Sequence, residues 1–423
     1  MRINSRMYIP VPFPPPEDDY TVLIGDWYRV GFGKLEKRLN KGRSLGRPAG
    51  VLINGKPGKH NPKASAGLEE TEFVMKPEMT YRFRICNVGV KNTLNFRIQG
   101  HTMNLVEIDG SHVVENDYES LDVHVGQCYS VLVKGDKKPG NYYMVASTRF
   151  TKYYLYATAI LKYTNADKKA LPSPTLPPTP KGWLWSRNQW DSFRWNLTAS
   201  AARPNPQGSY HYGTINITRT IVLRNTVEKV NGKTRTALNG KSFTFPNDST
   251  PLKLSEYYGI ADKEFKYNAI PDKPLPKSAK IPVTIEPIVV NVTFRDFVEI
   301  ILENPEKSLQ SYHLNGYSFF PVGMGCGKWS PEKRKGYNNL DAVSRHTIQV
   351  YQGSWTAILV TFDNCGMWNM RSDILERSYL GQELYFSVLS DARSLRDEYS
   401  LPERVEKNLC GKVVGLPTPP PYT

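Results

Sequence analysis

No stretch of this 423-residue chain reaches the ~18 consecutive apolar residues that a membrane-crossing helix requires. The first ten residues, MRINSRMYIP, lack the apolar core of a secretory leader. The last eleven, VVGLPTPPPYT, lack the hydrophobic tail of a lipid-anchor signal. No P-loop, H-E-x-x-H or C-x-x-C motif occurs. A nucleotide-phosphate loop, a zinc-protease helix and a dithiol redox site therefore have no basis in the sequence. Glycines and lysines in GKPGKH (55–60) lack phosphate-loop spacing and read as a turn with solvated charges. Acid pairs such as Asp18–Asp19 and Glu69–Glu70 are not singled out as glycosidase carboxylates. Histidine is scarce, at seven residues.

The charge is lopsided, at net +15. Such a balance favours acidic partners. No zinc finger, RNP-type aromatic motif or dense basic stripe points to nucleic acid. The cations read as a spread, solvated surface, and acidic polysaccharide is the polyanion left to consider. Five cysteines are an odd number. Four N-x-S/T triplets, at Asn196, Asn216, Asn247 and Asn291, lean towards the secretory route. An intracellular nucleic-acid binder would require all four to stay unglycosylated.

What the chain has in quantity is Tyr (25), Pro (32) and Gly (31). That composition favours short strands and punctuated turns over long helices. In YRFRICNV, Tyr81, Phe83 and Ile85 alternate with Arg82, Arg84 and Cys86. LDVHVGQCYSVLV repeats the alternation at Leu121, Val123 and Val125, then at Tyr129, Val131 and Val133. Later runs include TRTIVLRN, IVVNVTF, FVEIILEN, HTIQVY and WTAILVTF. In the last, Ile358, Val360 and Phe362 alternate with Ala357, Leu359 and Thr361. The pattern is all-β, with two sandwich domains at 18–165 and 206–402. A Pro-rich segment at 1–17 precedes the first. Residues 166–205, with LPSPTLPPTPKGW, read as a semi-rigid spacer. A loose tail, 403–423, closes the chain.

FRIQGHTMNLVEIDG, VGQCYSVLV, SYHLNGYSFFPVG and SWTAILVTFDNCGMW together resemble the multicopper oxidase superfamily. TASAARPNPQGSYHYG and LDAVSRHTIQVY resemble its plant branch, the ascorbate-oxidase-like glycoproteins of growing and pollen cells. The resemblance implies cupredoxin-like Greek-key β-sandwich domains in tandem. It also implies that residues 1–17 end a first domain, that most of that domain and a leader are missing, and that the missing domain would pack on these two.

The same resemblance implies copper held by H-x-x-H-x-H, by H-C-H after D-N-P-G-x-W, and by a further His and an axial Met. Laid on this chain, those positions read Gln310, His313 and Asn315, then Arg371, Ser372 and Asp373, then Arg377 and Gln382. The thiolate position is a serine, and two imidazole positions are guanidinium groups, which do not bind cations. One expected ligand of eight survives. Cys365 aligns with a proline of the motif, seven residues before Ser372, and is not the copper cysteine.

The expectation is a protein with no catalytic residue and no cofactor. The vacated positions form either a salt-bridged plug or an anion or sugar pocket, with His313 a satisfied core histidine. A copper-binding, ascorbate-oxidase-like oxidoreductase is the alternative. The role implied is extracellular, in cell-wall expansion and in pollen-tube or directional growth, with acidic wall polysaccharide as partner. Cys86 and Cys128, on strands of one domain, pair or stay as buried thiols. Cys326 and Cys365 share the last domain and form a possible second bridge, and the family often ties the tail, here Cys410, to the first domain.

Overall fold

A computed structural model of the chain describes residues 11–60, 70–167, 172–193, 212–246, 250–274, 276, 282–390 and 409–420. The chain divides into two compact units. One comprises Met1–Arg38, Ser44–Tyr210 and Asn338–Gln349; the other comprises Leu39–Arg43, His211–Tyr337 and Val350–Thr423. Sequence order alone does not suggest that residues 338–349 belong to the first unit.

The first unit holds two sheets. One runs β2 (Gly50–Ile53), β1 (Asp18–Trp27), β4 (Thr80–Asn87), β9 (Cys128–Lys134), β6 (Met103–Ile108), β7 (Ser111–Tyr118). The other runs β3 (Thr71–Met75), β11 (Tyr156–Tyr163), β10 (Asn141–Thr148), β5 (Leu94–Ile98), β8 (Ser120–Val123). Both are mixed: β1 lies parallel to β4, and β3 parallel to β11. The alternation works as written. Tyr81, Phe83, Ile85, Tyr129, Val131 and Val133 join residues of the second sheet, such as Phe96, Met144 and Ala157, in one core. On the opposite face Arg82 and Arg84 pair with Asp19. Cys86 and Cys128 are directly opposed across β4 and β9 and form a disulfide.

In the second unit, β16 (Thr284–Glu286), β14 (Lys241–Phe243), β13 (Lys233–Leu238), β12 (Arg219–Val230), β18 (Phe297–Asn304), β22 (Ser354–Thr361) and β20 (Phe320–Cys326) form one sheet. A second contains β15 (Lys266–Tyr267), β17 (Ile288–Thr293), β24 (Glu383–Leu389), β23 (Gly366–Ser372) and β19 (Gln310–Leu314). The residue division falls within β21 (Thr347–Val350). Alternation fails to mark an outer face on β22. Ala357 and Leu359 are as buried as Ile358 and Val360, so both faces of this inner strand, paired to β18 and β20, are covered. The helices are short: α1 (Phe32–Asn40), α2 (Trp183–Ser192), α3 (Leu252–Tyr257), α4 (Ala261–Glu264) and α5 (Leu375–Tyr379).

The expected spacer is a strap, at least over residues 172–193. Prolines supply no N–H but keep their carbonyls. Arg97 Nε donates to the Pro177 carbonyl (2.7 Å), and Gln99 Nε2 to Ser173 and Thr175 (3.2 and 2.8 Å). Arg149 reaches the Pro180 and Gly182 carbonyls. From α2, Gln189 accepts the Asp122 N–H (2.8 Å) and donates to Ser120 (2.7 Å). The sequence shows the prolines, but not the buried donors that meet their carbonyls.

The proposed Cys326–Cys365 bridge does not form. Cys326 is opposite Ser354 at the start of β22, while Cys365 follows the end of that strand. The intervening length of β22 is roughly 23 Å at the usual strand rise. A disulfide tolerates a Cα separation of about 7 Å at most.

Two histidines of the first unit are held neutral. Burial pushes the His124 imidazole well down, reinforced by the Arg345 and Arg149 charges. Burial also lowers His101, which lies 2.8 Å from both the Gln99 carbonyl and the Tyr163 hydroxyl. A depressed folded-state pKa means that stability is full above the unfolded value of about 6.5 and falls as pH drops below it. The loss approaches about 1.4 kcal/mol per pH unit for each histidine. Thermal unfolding from pH 7 to 5.5 should show this decline, and His124→Gln should flatten it. An unchanged pH slope in the variant would count against a neutral buried imidazole.

Candidate functional site

Strand pairing assembles the eight copper-family positions from one edge of the second sheet. β19 lies antiparallel to β23, with Tyr312 opposite Ser372 and His313 opposite Arg371. β23 continues into β24, with Arg371 opposite Glu383. The turn after β19 is locked to the D-N-C-G-x-W loop. Tyr317 donates its hydroxyl to the Asn364 carbonyl, and Trp368 Nε1 donates to the same oxygen (2.7 Å). Gly316 has φ 76°, and a Cβ there would lie 2.1 Å from the Trp368 ring, so only glycine fits.

Because side chains alternate along a strand, the eight positions divide between two faces rather than forming one cluster. One face gathers Gln310, Ser372, Arg377 and Gln382. Gln310, Ser372 and Gln382 are fully buried. The Gln382 amide donates to Gln310 Oε1 (3.0 Å) and to the Tyr312 hydroxyl (2.9 Å). Its Oε1 accepts from Arg377 Nη1 (3.2 Å). Arg377, on α5, forms a two-pronged pair with Glu306: Nη1 to Oε1 at 2.8 Å, and Nη2 to Oε2. Arg377 Nη2 also donates to Ser308 Oγ (3.2 Å), which accepts from Gln310 Nε2 (3.2 Å). Ser372 Oγ accepts the Ile374 N–H (3.3 Å). Burial pushes the Tyr312 phenol far up, keeping it neutral.

The other face holds His313, Arg371 and Asp373. His313 Nδ1 lies 3.9 Å from Asp373 Oδ2, and Arg371 Nη2 lies 3.6 Å from Asp373 Oδ1. Arg371 Nη1 donates to Asn369 Oδ1 (3.3 Å), and Asn369 donates on to Glu383 (3.3 Å). Burial raises the Glu383 carboxyl, partly offset by Asn369 and Arg371. Arg371 keeps about a third of its side chain exposed. Asn315 is half-buried and is tied in by its backbone N–H to the Asn369 carbonyl (2.9 Å).

Neither donor set fits copper. A mononuclear copper of this family asks for a thiolate and two imidazoles. The face with the thiolate position offers a hydroxyl, two amides and a permanently charged guanidinium, already satisfied by one another. The second face offers one imidazole among a guanidinium, an amide and a carboxylate. Among the described residues, no group of three or more His, Cys, Asp or Glu is placed to hold a metal ion.

Sequence reasoning missed Glu306, Ser308 and Tyr312. Tyr312 was readable, two residues from Gln310 on the same strand face. Glu306 carried no local signal, since its partner is 71 residues away.

Of the four sequons, Asn196 and Asn247 lie outside the described residues. Asn216 is exposed. Asn291 is in the middle of β17, paired with Ser387, and its Oδ1 is buried without a partner. In glycopeptide mass spectrometry of secreted protein, a glycan is expected at Asn216 and none at Asn291.

Two family models, both described as multicopper oxidase, match residues 18–166 and 249–394. An L-ascorbate oxidase homolog of Brassica napus is 60% identical over 99% of this chain and 73% of its own length. One from Nicotiana tabacum is 54% identical, over 100% and 74%. Monocopper oxidase-like protein SKU5 of Arabidopsis thaliana is 44% identical, over 99% and 71%. Among solved structures, Fet3p, described as a multicopper oxidase that functions in iron import, superposes with a TM-score of 0.66 at 18% identity. The match covers 89% of this chain and 66% of that one. A laccase from Botrytis aclada gives 0.64 at 18% identity, over 88% and 64%. The chain therefore spans slightly less than two thirds of these solved oxidases. Their likeness shows the fold, the expected cupredoxin-like sandwich, here with mixed sheets.

Proposed function

Because this chain belongs to the multicopper oxidase family, we propose that it is a member working without copper redox chemistry, outside the cell, by binding acidic polysaccharide of the plant wall. One observation carries the first part. The guanidinium of Arg377, paired to Glu306 and bonded to Gln382, occupies a position where the family requires an imidazole. A fixed cation next to a serine in place of the thiolate repels a metal ion and leaves no soft donor.

The second part is supported by the net charge of +15, by the disulfide, which suits an oxidising compartment, and by the sequons. A part in wall expansion and in pollen-tube or directional growth belongs to the same proposal. The relatives' names carry the rival reading, an oxidase with altered copper.

The deciding measurement is copper content per chain on protein purified from plant secretory expression and dialysed against copper. Trace copper is expected, with no ascorbate or phenol oxidation. Stoichiometric copper would overturn the reading. The polysaccharide half is tested by retention on polygalacturonate, which should be strong at low salt and lost at high salt. Equal retention on a neutral polysaccharide at every salt concentration would sink it.

A further inference from the structure

The cations are not evenly spread. Between Trp27 and Ala49 the chain has seven Lys and Arg and one carboxylate, Glu36. That net of +6 is two fifths of the whole chain's +15. Five of these cations belong to the first unit: Arg29, Lys34, Lys37, Arg38 and Arg47, all exposed. Lys34, Lys37 and Arg38 stand at i, i+3 and i+4 on α1 and so share a face. The helix's apolar stripe points the other way, since Leu39 is buried and Leu35 half-buried.

Loop contacts bring the remaining two cations alongside. Tyr28, next to Arg29, donates its hydroxyl to the carbonyl of Gly46, next to Arg47 (3.3 Å), which joins the two segments that carry these cations. The Arg38 guanidinium rests against Gly46, 3.2 Å from where a Cβ would stand. Arg47 is steadied over the Tyr153 ring, 5.1 Å from its centroid. Like charges gathered this way repel unless a counter-charge joins them. The same segment also leaves two large rings open, Phe32 at 63% exposure and Trp27 at 44%.

We propose that the outward face of α1, with Arg29 and Arg47, is a binding site for the carboxylates of an acidic polysaccharide. This rests on the wall-binding reading above and gives it a location. A membrane surface fits less well, because a helix that inserts into lipid turns its apolar stripe outward, whereas here Leu39 is buried and Leu35 half-buried. Nucleic acid fits less well in a protein with a disulfide.

The test compares polygalacturonate affinity at low salt for three proteins. The first is wild type. The second is Arg29→Gln/Lys34→Gln/Lys37→Gln/Arg47→Gln. The third has the same net charge through Lys138→Gln/Lys229→Gln/Lys263→Gln/Lys273→Gln. Circular dichroism verifies that all three fold. The site variant should lose about tenfold or more in affinity, a change of about 1.4 kcal/mol, while the control changes little. Equal losses in both variants would overturn this site and leave diffuse wall binding standing. No binding by wild type would overturn both. Tighter wild-type binding to phosphatidylserine vesicles or RNA than to polygalacturonate would overturn the proposal in favour of that ligand.

Discussion

Replacing Arg345 by methionine is expected to lower the stability of the first unit by about 3–5 kcal/mol. Arg345 and Asp109 are both wholly buried, with Arg345 Nε 3.3 Å from Asp109 Oδ2, across 236 residues of sequence. Asp109 is also braced by the Cys128 N–H (3.0 Å). Burial alone would raise the Asp109 carboxyl, but the His346 and Arg345 charges and that N–H bring it below its ordinary value. Removing the guanidinium leaves a buried carboxylate without its ion-pair partner, which is the costly half of breaking such a pair. The Arg345→Met/Asp109→Asn double variant should recover at least half of the loss, because it removes both charges together. Urea unfolding followed by tryptophan fluorescence reads both numbers. A loss below about 1 kcal/mol, the range of an exposed pair, would show that this ion pair does not hold residues 338–349 in the first unit.

The second large effect lies at the remodelled site. Arg377→Leu should cost about 2–4 kcal/mol, less than a fully buried pair because some of Arg377 and Glu306 stays open to solvent. It removes the bonds to Glu306, Ser308 and Gln382 together. Asn225 Nδ2 still donates to Glu306 (2.5 Å), so the carboxylate keeps one partner. Adding Glu306→Gln should restore more than half of the stability. Ser372→Cys in the wild-type background should leave copper content at trace level, because Arg377 still occupies an imidazole position. Ser372→Cys/Arg377→His/Gln310→His/Gln382→Met should lose the Glu306 pair and so be less stable without metal. An Arg377→Leu protein as stable as wild type would mean that the network fills space without holding the sheet edge.

Much of the fold was readable. Period-two runs such as Tyr81-Phe83-Ile85 mark strands and name their inner faces, because side-chain direction is a local property of extended backbone. β22 misled for a related reason. Local alternation says which side chains share a face, but only what packs above and below the sheet decides whether both faces are covered. The spacer's anchoring was not readable, because proline marks extended chain and says nothing of which donors meet the carbonyls. The Cys326–Cys365 pairing failed because membership of one domain does not place two residues at the same end of a strand.

The remodelled site divides the same way. The residue types at 310, 313, 315, 371, 372, 373, 377 and 382 already determine the donor chemistry, since no packing turns a guanidinium or a serine into a copper ligand. The basic run between Trp27 and Ala49 was equally visible in the sequence, although the overall charge suggested an even spread. The tertiary structure alone decided that Glu306 closes the ring around Arg377, that Arg345 lies buried against Asp109, and that the segments of Arg29 and Arg47 meet through Tyr28 and Gly46. Those are contacts between residues distant in sequence. They depend on which strands pair and which loops cross, and local composition does not encode a partner that lies tens or hundreds of residues away.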